Sequence, residues 1–99
     1  MYTPEVEKKV EDRLLATHLT ENEVFKKACF AGDGQQMMTV IETEMNKNNL
    51  FTKGSMKLKA DIIRMLQGRT RVPSYIGQNI LRFVYNARLS GTGLGVLKV

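Results

Sequence analysis

The side chains best suited to chemistry in this sequence lie between residues 57 and 86, and their types are those that contact nucleic acids. Arginine and lysine bind phosphates, while arginine, glutamine and asparagine also meet base edges and tyrosine stacks on bases. If residues 73–89 form a helix, one of its faces carries Tyr75, Gln78, Arg82, Tyr85 and Asn86. The cations that precede this helix are Lys57, Arg64, Arg69 and Arg71. Together these residues predict a surface for DNA or RNA.

The segment that carries these residues, 55–90, has the pattern of two amphipathic helices joined by a short basic turn at 68–73. A helix-turn-helix protein has the same outline and places its second helix in the major groove of DNA. Any antiparallel helix pair in a bundle also has it, and this turn is longer than the usual one of about three or four residues. The interpretation is a small regulatory nucleic-acid-binding protein with a helix-turn-helix-like C-terminal pair.

A protein partner is the alternative explanation of the same residues. Arginine and tyrosine are also enriched at protein interfaces. The acidic N-terminal half would repel DNA, and a methionine stripe at 37–45 and the apolar residues of the segment 96–99 offer surface to a partner. In this alternative the chain is a small regulatory protein-binding module, such as an inhibitor, an adaptor or an assembly subunit.

Groups for catalysis, metal binding and cofactor binding do not come together in the sequence. The only histidine, His18, and the only cysteine, Cys29, have no second imidazole or thiol to complete a metal site. The carboxylates at 11–12 and at 42–44 are expected on solvated faces, since adjacent or alternate helical residues point apart. The glycines at 91–95 match neither a dinucleotide-binding loop nor a P-loop. We expect a non-enzymatic protein without metal or cofactor, with Cys29 buried in the core.

Length and composition are those of one ordinary globular domain. The chain has 99 residues, of which 42% are hydrophobic and 25% are charged, which suffices for a modest core without disulfides. No apolar run is long enough to cross a bilayer, and acidic residues stand where a signal peptide would be apolar. With one cysteine, these features predict a cytoplasmic protein, monomeric or homo-oligomeric, that does not bind membranes. We expect one helical domain at 1–90 and a flexible glycine-rich tail at 91–99.

Charge is distributed unevenly along the chain. The net charge is +5, but residues 1–50 carry six Lys and Arg against nine Asp and Glu, a net −3, whereas residues 51–99 carry nine against one, a net +8. A polyanionic partner for the basic half explains this asymmetry. The alternative explanation is attraction between the two halves, within the domain or across a dimer.

Apolar spacing predicts helices in the acidic half, 1–50. A first helix, capped by Thr3, is expected from Pro4 to about Thr17, with His18 in the break that follows. The residues from Thr20 to Glu23 match a capping box, so a second helix is expected over 21–31. Its predicted buried residues are Val24, Phe25, Ala28, Cys29 and Phe30. A third helix is expected from 35 to 46 or 47, with Met37, Ile41 and Met45 in one stripe.

Two further helices are predicted in the basic half. The fourth, capped by Ser55, buries Leu58, Ile62, Met65 and Leu66. Lys57, Asp61 and Arg64 lie on its solvent face, where Lys57 pairs with Asp61 and Arg64 has no partner. The fifth, 73–89, buries Ile76, Ile80, Phe83, Val84 and Ala87, and Gly77 permits a close helix contact. The expected fold is an all-α bundle of four or five short helices.

Overall fold

Five α-helices form the part of the chain that the computed structural model describes, residues 4–48 and 56–90. Their bounds are α1 Pro4–Thr20, α2 Glu23–Ala31, α3 Gly34–Asn48, α4 Met56–Leu66 and α5 Ser74–Ser90. No strand occurs within those two ranges, apart from one isolated antiparallel bridge between Asp33 and Arg71. The predicted all-α bundle is confirmed. The predicted caps Thr3 and Ser55 and the predicted tail 91–99 lie outside the described residues.

The core is a single cluster to which every helix contributes. α5 lies at its centre, where it packs against α1 and α2 and, less extensively, against α4. Most of the predicted core positions are confirmed, because spacings of three and four residues place them on one side of each helix. The buried apolar residues are Leu15, Ala16, Leu19, Phe25, Ala28, Cys29, Met37, Val40, Ile41, Leu58, Ile62, Leu66, Ile80, Leu81, Phe83, Val84 and Ala87.

α2 and α5 approach each other closely. A β-carbon at Gly77 would overlap the carbonyl oxygen of Cys29, so the two helices approach as closely as they do only because residue 77 is glycine. The predicted role of Gly77 is therefore confirmed. The contact brings α5 close to α2.

The junction between α1 and α2 differs from the prediction. α1 continues to Thr20, so His18 and Leu19 are helical and do not lie in a break. Leu15 and Leu19 lie one turn apart and are both buried. Because packing of an apolar face stabilises a helix, their burial keeps the last turn of α1 helical. The capping box is also wrong, because the N-cap of α2 is Asn22, whose Oδ1 accepts a hydrogen bond from the Phe25 backbone N–H at 3.0 Å. Asparagine caps a helix as well as serine does.

Two predicted core residues of α2 are on the surface. Phe30 is 58% exposed and Val24 is about half exposed. α2 has only nine residues, and the side that faces α3 and α5 is filled by Phe25, Ala28 and Cys29. Val24 and Phe30 flank that side, so burying them would need further neighbours.

Candidate functional site

The turn between α4 and α5, residues 67–73, is fixed by backbone hydrogen bonds to a distant part of the chain. The Gln35 N–H donates to the Thr70 carbonyl at 2.9 Å, and the Val72 N–H donates to the Gly32 carbonyl at 2.8 Å. The bridge between Asp33 and Arg71 lies between these two bonds. Arg69 and Arg71, both exposed, therefore project from a backbone that is held on the α2–α3 connection.

The outer side of α5 carries the predicted helical site residues. Tyr75 is 63% exposed and Tyr85 is 40% exposed, and Gln78 and Arg82 are also exposed. Asn79, which the sequence analysis did not select, is exposed beside them. Asn86 is half-buried. The buried side of α5 faces α1 and α2, so the outer residues form a stripe along the helix.

Carboxylates are missing from the sequence around this stripe. Asp61 is the last acidic residue of the chain, so α5 and the turn before it contain none. Among the side chains that the structure describes, no carboxylate pairs with Arg69, Arg71 or Arg82. Their charges are therefore available to an anionic ligand.

Lys57 and Arg64, also predicted as site residues, have a carboxylate partner on α4. Asp61 is 1% exposed, and it accepts hydrogen bonds from Arg64 Nη1 at 2.9 Å and from Lys57 Nζ at 3.3 Å. The predictions of a solvent-facing Asp61 and an unpartnered Arg64 are therefore wrong, because Asp61 lies at the border of that face, next to the buried residues Leu58 and Ile62. Both cations stay largely exposed, but Asp61 offsets part of their charge.

Asp12 of α1 is a second buried carboxylate at the same junction. It is 2% exposed, its Oδ1 has no hydrogen-bond partner, and the Leu58 backbone N–H donates to its carboxyl group. Burial is the largest cause that raises its pKa to about 7, although Lys57 opposes the rise and Asp61 adds to it. The expected solvated face for Asp12 is wrong, because Asp12 lies on the same stripe of α1 as Leu15 and Leu19.

Glu44 of α3 is buried as well, also against the prediction. Its Oε2 accepts a hydrogen bond from Asn22 Nδ2 at 3.1 Å, and its Oε1 lies 3.7 Å from His18 Nδ1. Glu44 follows the buried pair Val40 and Ile41 by one turn, so it continues their apolar stripe. It joins the ends of α1, α2 and α3.

Some cations of the basic half pair with the acidic half inside the domain. Lys59 Nζ lies 2.9 Å from Glu42 Oε2. Arg88 donates to Thr20 Oγ1 at 3.0 Å and lies 3.5 Å from Glu21. Attraction between the halves therefore accounts for part of the charge asymmetry, and the three arginines of the turn and of α5 account for another part.

Two clefts open between α4 and α5, and Met65 lines both. One, of about 170 Å³, lies at the turn. The other, of about 310 Å³, lies farther along α5 and brings Arg82 and Asn79 beside Phe83. The residues around the first cleft are Met65, Leu66, Gln67, Arg69, Val72, Pro73, Tyr75 and Ile76. The clefts thus bring two of the predicted arginines and one predicted tyrosine next to apolar surface.

The single thiol does not line either of these clefts. Cys29 is buried, and burial raises its pKa to about 12, so the thiol is protonated at neutral pH and a poor nucleophile. Within residues 4–48 and 56–90, no three histidine, cysteine or acidic side chains are grouped to hold a metal ion. In the described part of the chain, the candidate site is therefore the surface of cations, amides and tyrosines on the turn 67–73 and the outer side of α5.

No protein-family model, curated protein or solved structure matches this chain. In the described segments, no helix is both long enough and apolar enough to span a bilayer.

Proposed function

We propose that this protein binds nucleic acid, without catalysing a reaction on it, and that it acts as a regulator. The surface is the turn 67–73 together with the outer side of α5. We call it the arginine–tyrosine face, and its residues are Arg69, Arg71, Tyr75, Gln78, Arg82 and Tyr85. Lys57, Arg64 and Asn86 lie outside this core set because Asp61 offsets the two cations and Asn86 is half-buried.

The observation that carries this proposal is the combination of exposed arginines without carboxylate partners and aromatic and amide side chains on one surface. Phosphate contacts supply affinity and fix orientation, while amides and tyrosines contact the bases. Tyr75 and Tyr85 are ten residues apart on α5, which is about 15 Å at the helical rise per residue. That length corresponds to about four nucleotides of one strand of a duplex, in which phosphates are about 3.4 Å apart along the axis.

A protein partner is the second candidate, and exposed apolar side chains favour it. Leu89 is 77% exposed at the end of α5, and Phe30 is exposed on α2. Phe30 follows Lys26 by one turn. The pKa of Lys26 is raised mainly by its hydrogen bond to Glu23 and also by the nearby Tyr85. α2 and α5 thus share an edge with exposed apolar and aromatic groups, which are enriched where proteins meet.

Fluorescence anisotropy with labelled duplex DNA, single-stranded DNA and RNA, measured at several salt concentrations, tests the first candidate. If three arginines contact phosphates, the slope of log K against log salt should be about −2 for single strands and nearer −3 for duplex DNA. The triple variant with Arg69, Arg71 and Arg82 changed to glutamate should not bind. It should stay folded, because all three side chains are exposed.

A matched control separates a specific face from net charge. Arg13, Lys27 and Lys47 are exposed cations on α1, α2 and α3, and changing them to glutamate alters the net charge by the same amount. This control variant should keep most of the affinity. Equal losses in both triple variants, or no binding at physiological salt by the folded wild-type protein, would contradict the proposal. Loss of binding to a captured protein partner after Phe30→Asp and Leu89→Asp would instead support the second candidate.

A further inference from the structure

The cleft at the α4–α5 turn has the size of a single ring. Its volume is about 170 Å³. An engineered protein cavity of about 150 Å³ holds one benzene molecule, whereas pockets for drug-sized ligands start at about 300 Å³. One flat ring therefore fits this cleft.

The cleft has both apolar and polar walls, and its rim carries two groups on which rings stack. Val72, Pro73 and Ile76 supply apolar wall. Tyr75 and Arg69 stand at the rim, and both side chains are exposed. Unpaired bases stack on aromatic rings and on guanidinium planes. The rim therefore suits a base that has left its stack.

The cleft is preformed, because its backbone is tied down on both sides. The hydrogen bonds from Gln35 to Thr70 and from Val72 to Gly32 hold the turn on the α2–α3 connection. The proline ring fixes φ at residue 73, immediately before α5 begins. A ring that enters the cleft therefore orders little of the protein, which reduces the entropic cost of binding.

Charge around the cleft favours a nucleobase over the aromatic side chain of a partner protein. Arg71 lies on the turn and Arg82 lies two turns along α5 from Tyr75, and neither pairs with a described carboxylate. A strand whose base occupies the cleft would place its neighbouring phosphates among these arginines. A protein side chain brings no such regular negative charge.

We infer that this cleft holds one unpaired base of a single-stranded nucleic acid, so that the arginine–tyrosine face binds single strands in preference to duplexes. The inference rests on the proposed function. Bases in a duplex are paired and stacked, and extruding one requires unstacking and unpairing. The turn, seven residues long at 67–73, is also longer than that of a helix-turn-helix that reads duplex DNA.

The test uses the full chain and three probes of equal length: a labelled mixed-sequence single-stranded oligonucleotide, its duplex, and an abasic strand that keeps the phosphates. The intact single strand should bind more tightly than either of the others. Tyr75→Ala should weaken binding of the intact strand by about 5-fold to 150-fold, the range for loss of one base–aromatic stack. It should leave the abasic strand and the slope with salt unchanged. Tyr75→Phe should retain the affinity.

Two further measurements exclude trivial explanations. Phe30→Ala removes a comparably exposed ring on α2 and should not change binding to any probe. In NMR spectra, the methyl signals of Val72 and Ile76 should move upfield when the intact strand is added, because a stacked base shields the groups beneath it, and should stay in place with the abasic strand.

The outcomes distinguish the two levels of the proposal. If single strand and duplex bind equally and Tyr75→Ala changes neither, the base-binding cleft is refuted while nucleic-acid binding by the face remains. Equal affinity for intact and abasic strands refutes the cleft in the same way. If the folded protein binds none of the probes, both proposals fail.

Discussion

Replacing Asp12 by asparagine should stabilise the protein above about pH 7. The Asp12 side chain is buried at the junction of α1 and α4, its Oδ1 has no hydrogen-bond partner, and its pKa is raised from 3.8 to about 7. Asparagine has nearly the same shape, keeps an oxygen that accepts from the Leu58 N–H, and cannot ionise. The substitution therefore removes the ionisable group, and its amide places N–H donors where the unpartnered Oδ1 was, a cost that does not vary with pH.

The magnitude follows from linkage between protonation and folding. Between pH 3.8 and about 7, the native state keeps a proton on Asp12 that the unfolded chain releases, so the free energy of unfolding falls as pH rises. Each unit of pKa difference corresponds to about 1.4 kcal/mol. A rise of about three units gives at most about 4 kcal/mol above pH 7, and essentially nothing near pH 4.

Urea denaturation followed by circular dichroism, at pH values from about 4 to about 8.5, measures this difference. The stability of Asp12→Asn minus that of the wild type should grow across this interval. Glu42→Gln, which removes an exposed carboxylate, should shift stability by no more than about 0.5 kcal/mol at any pH. If Asp12→Asn is equally destabilising at every pH, Asp12 is ionised and satisfied in the native state, and the reasoning from burial is wrong.

Three further changes test how the helices are held. Gly77→Ala should destabilise the protein by more than about 2 kcal/mol, because the new methyl group overlaps the Cys29 carbonyl. Asn79→Ala, on the exposed side of α5, should be close to neutral in the same urea titration. Asn22→Ala should cost about 1 to 2 kcal/mol, since it removes the N-cap of α2 and the bond to Glu44. Cys29 should react with a thiol reagent only as fast as unfolding exposes it, because the thiol is buried and its pKa is raised to about 12. Rapid labelling of the native state would contradict this.

The number of helices and most of the core could be predicted from the sequence, since both depend on local spacing. Met37 with Ile41 and Leu58 with Ile62 recur one turn apart, and such pairs are buried in each case. The buried carboxylates were missed for a related reason. Asp12, Glu44 and Asp61 occupy positions on buried faces, and residue type alone assigned them to the solvent side. A three- or four-residue step from each to a buried apolar neighbour was the available signal, and these neighbours are Ala16, Val40 and Leu58 respectively.

The arrangement of the candidate site depended on contacts that local patterns do not contain. The side-chain types of the arginine–tyrosine face and their place on one side of α5 were apparent from the sequence. The cleft at the turn was not apparent from the sequence, because it forms only when residues 32–35 hydrogen-bond with residues 70–72. No nearby residue marks that pairing. Likewise, pairing of Arg64 with Asp61 could be suspected from their spacing, but the burial of Asp61 is a tertiary effect.

The carboxylate partners of the basic residues help to explain why charge is distributed unevenly along the chain. If internal attraction alone explained the asymmetry, cations of the basic half would be expected near carboxylates throughout. Instead Lys59 and Arg88 pair with the acidic half, and Asp61 holds Lys57 and Arg64. Within the described residues of the basic half, the cations without a carboxylate partner are Arg69, Arg71 and Arg82. Arg69 lines the cleft at the turn, Arg82 lines the cleft farther along α5, and Arg71 lies on the turn. Grouped like charges repel and reduce stability, a cost that the proposed polyanionic ligand would offset on binding.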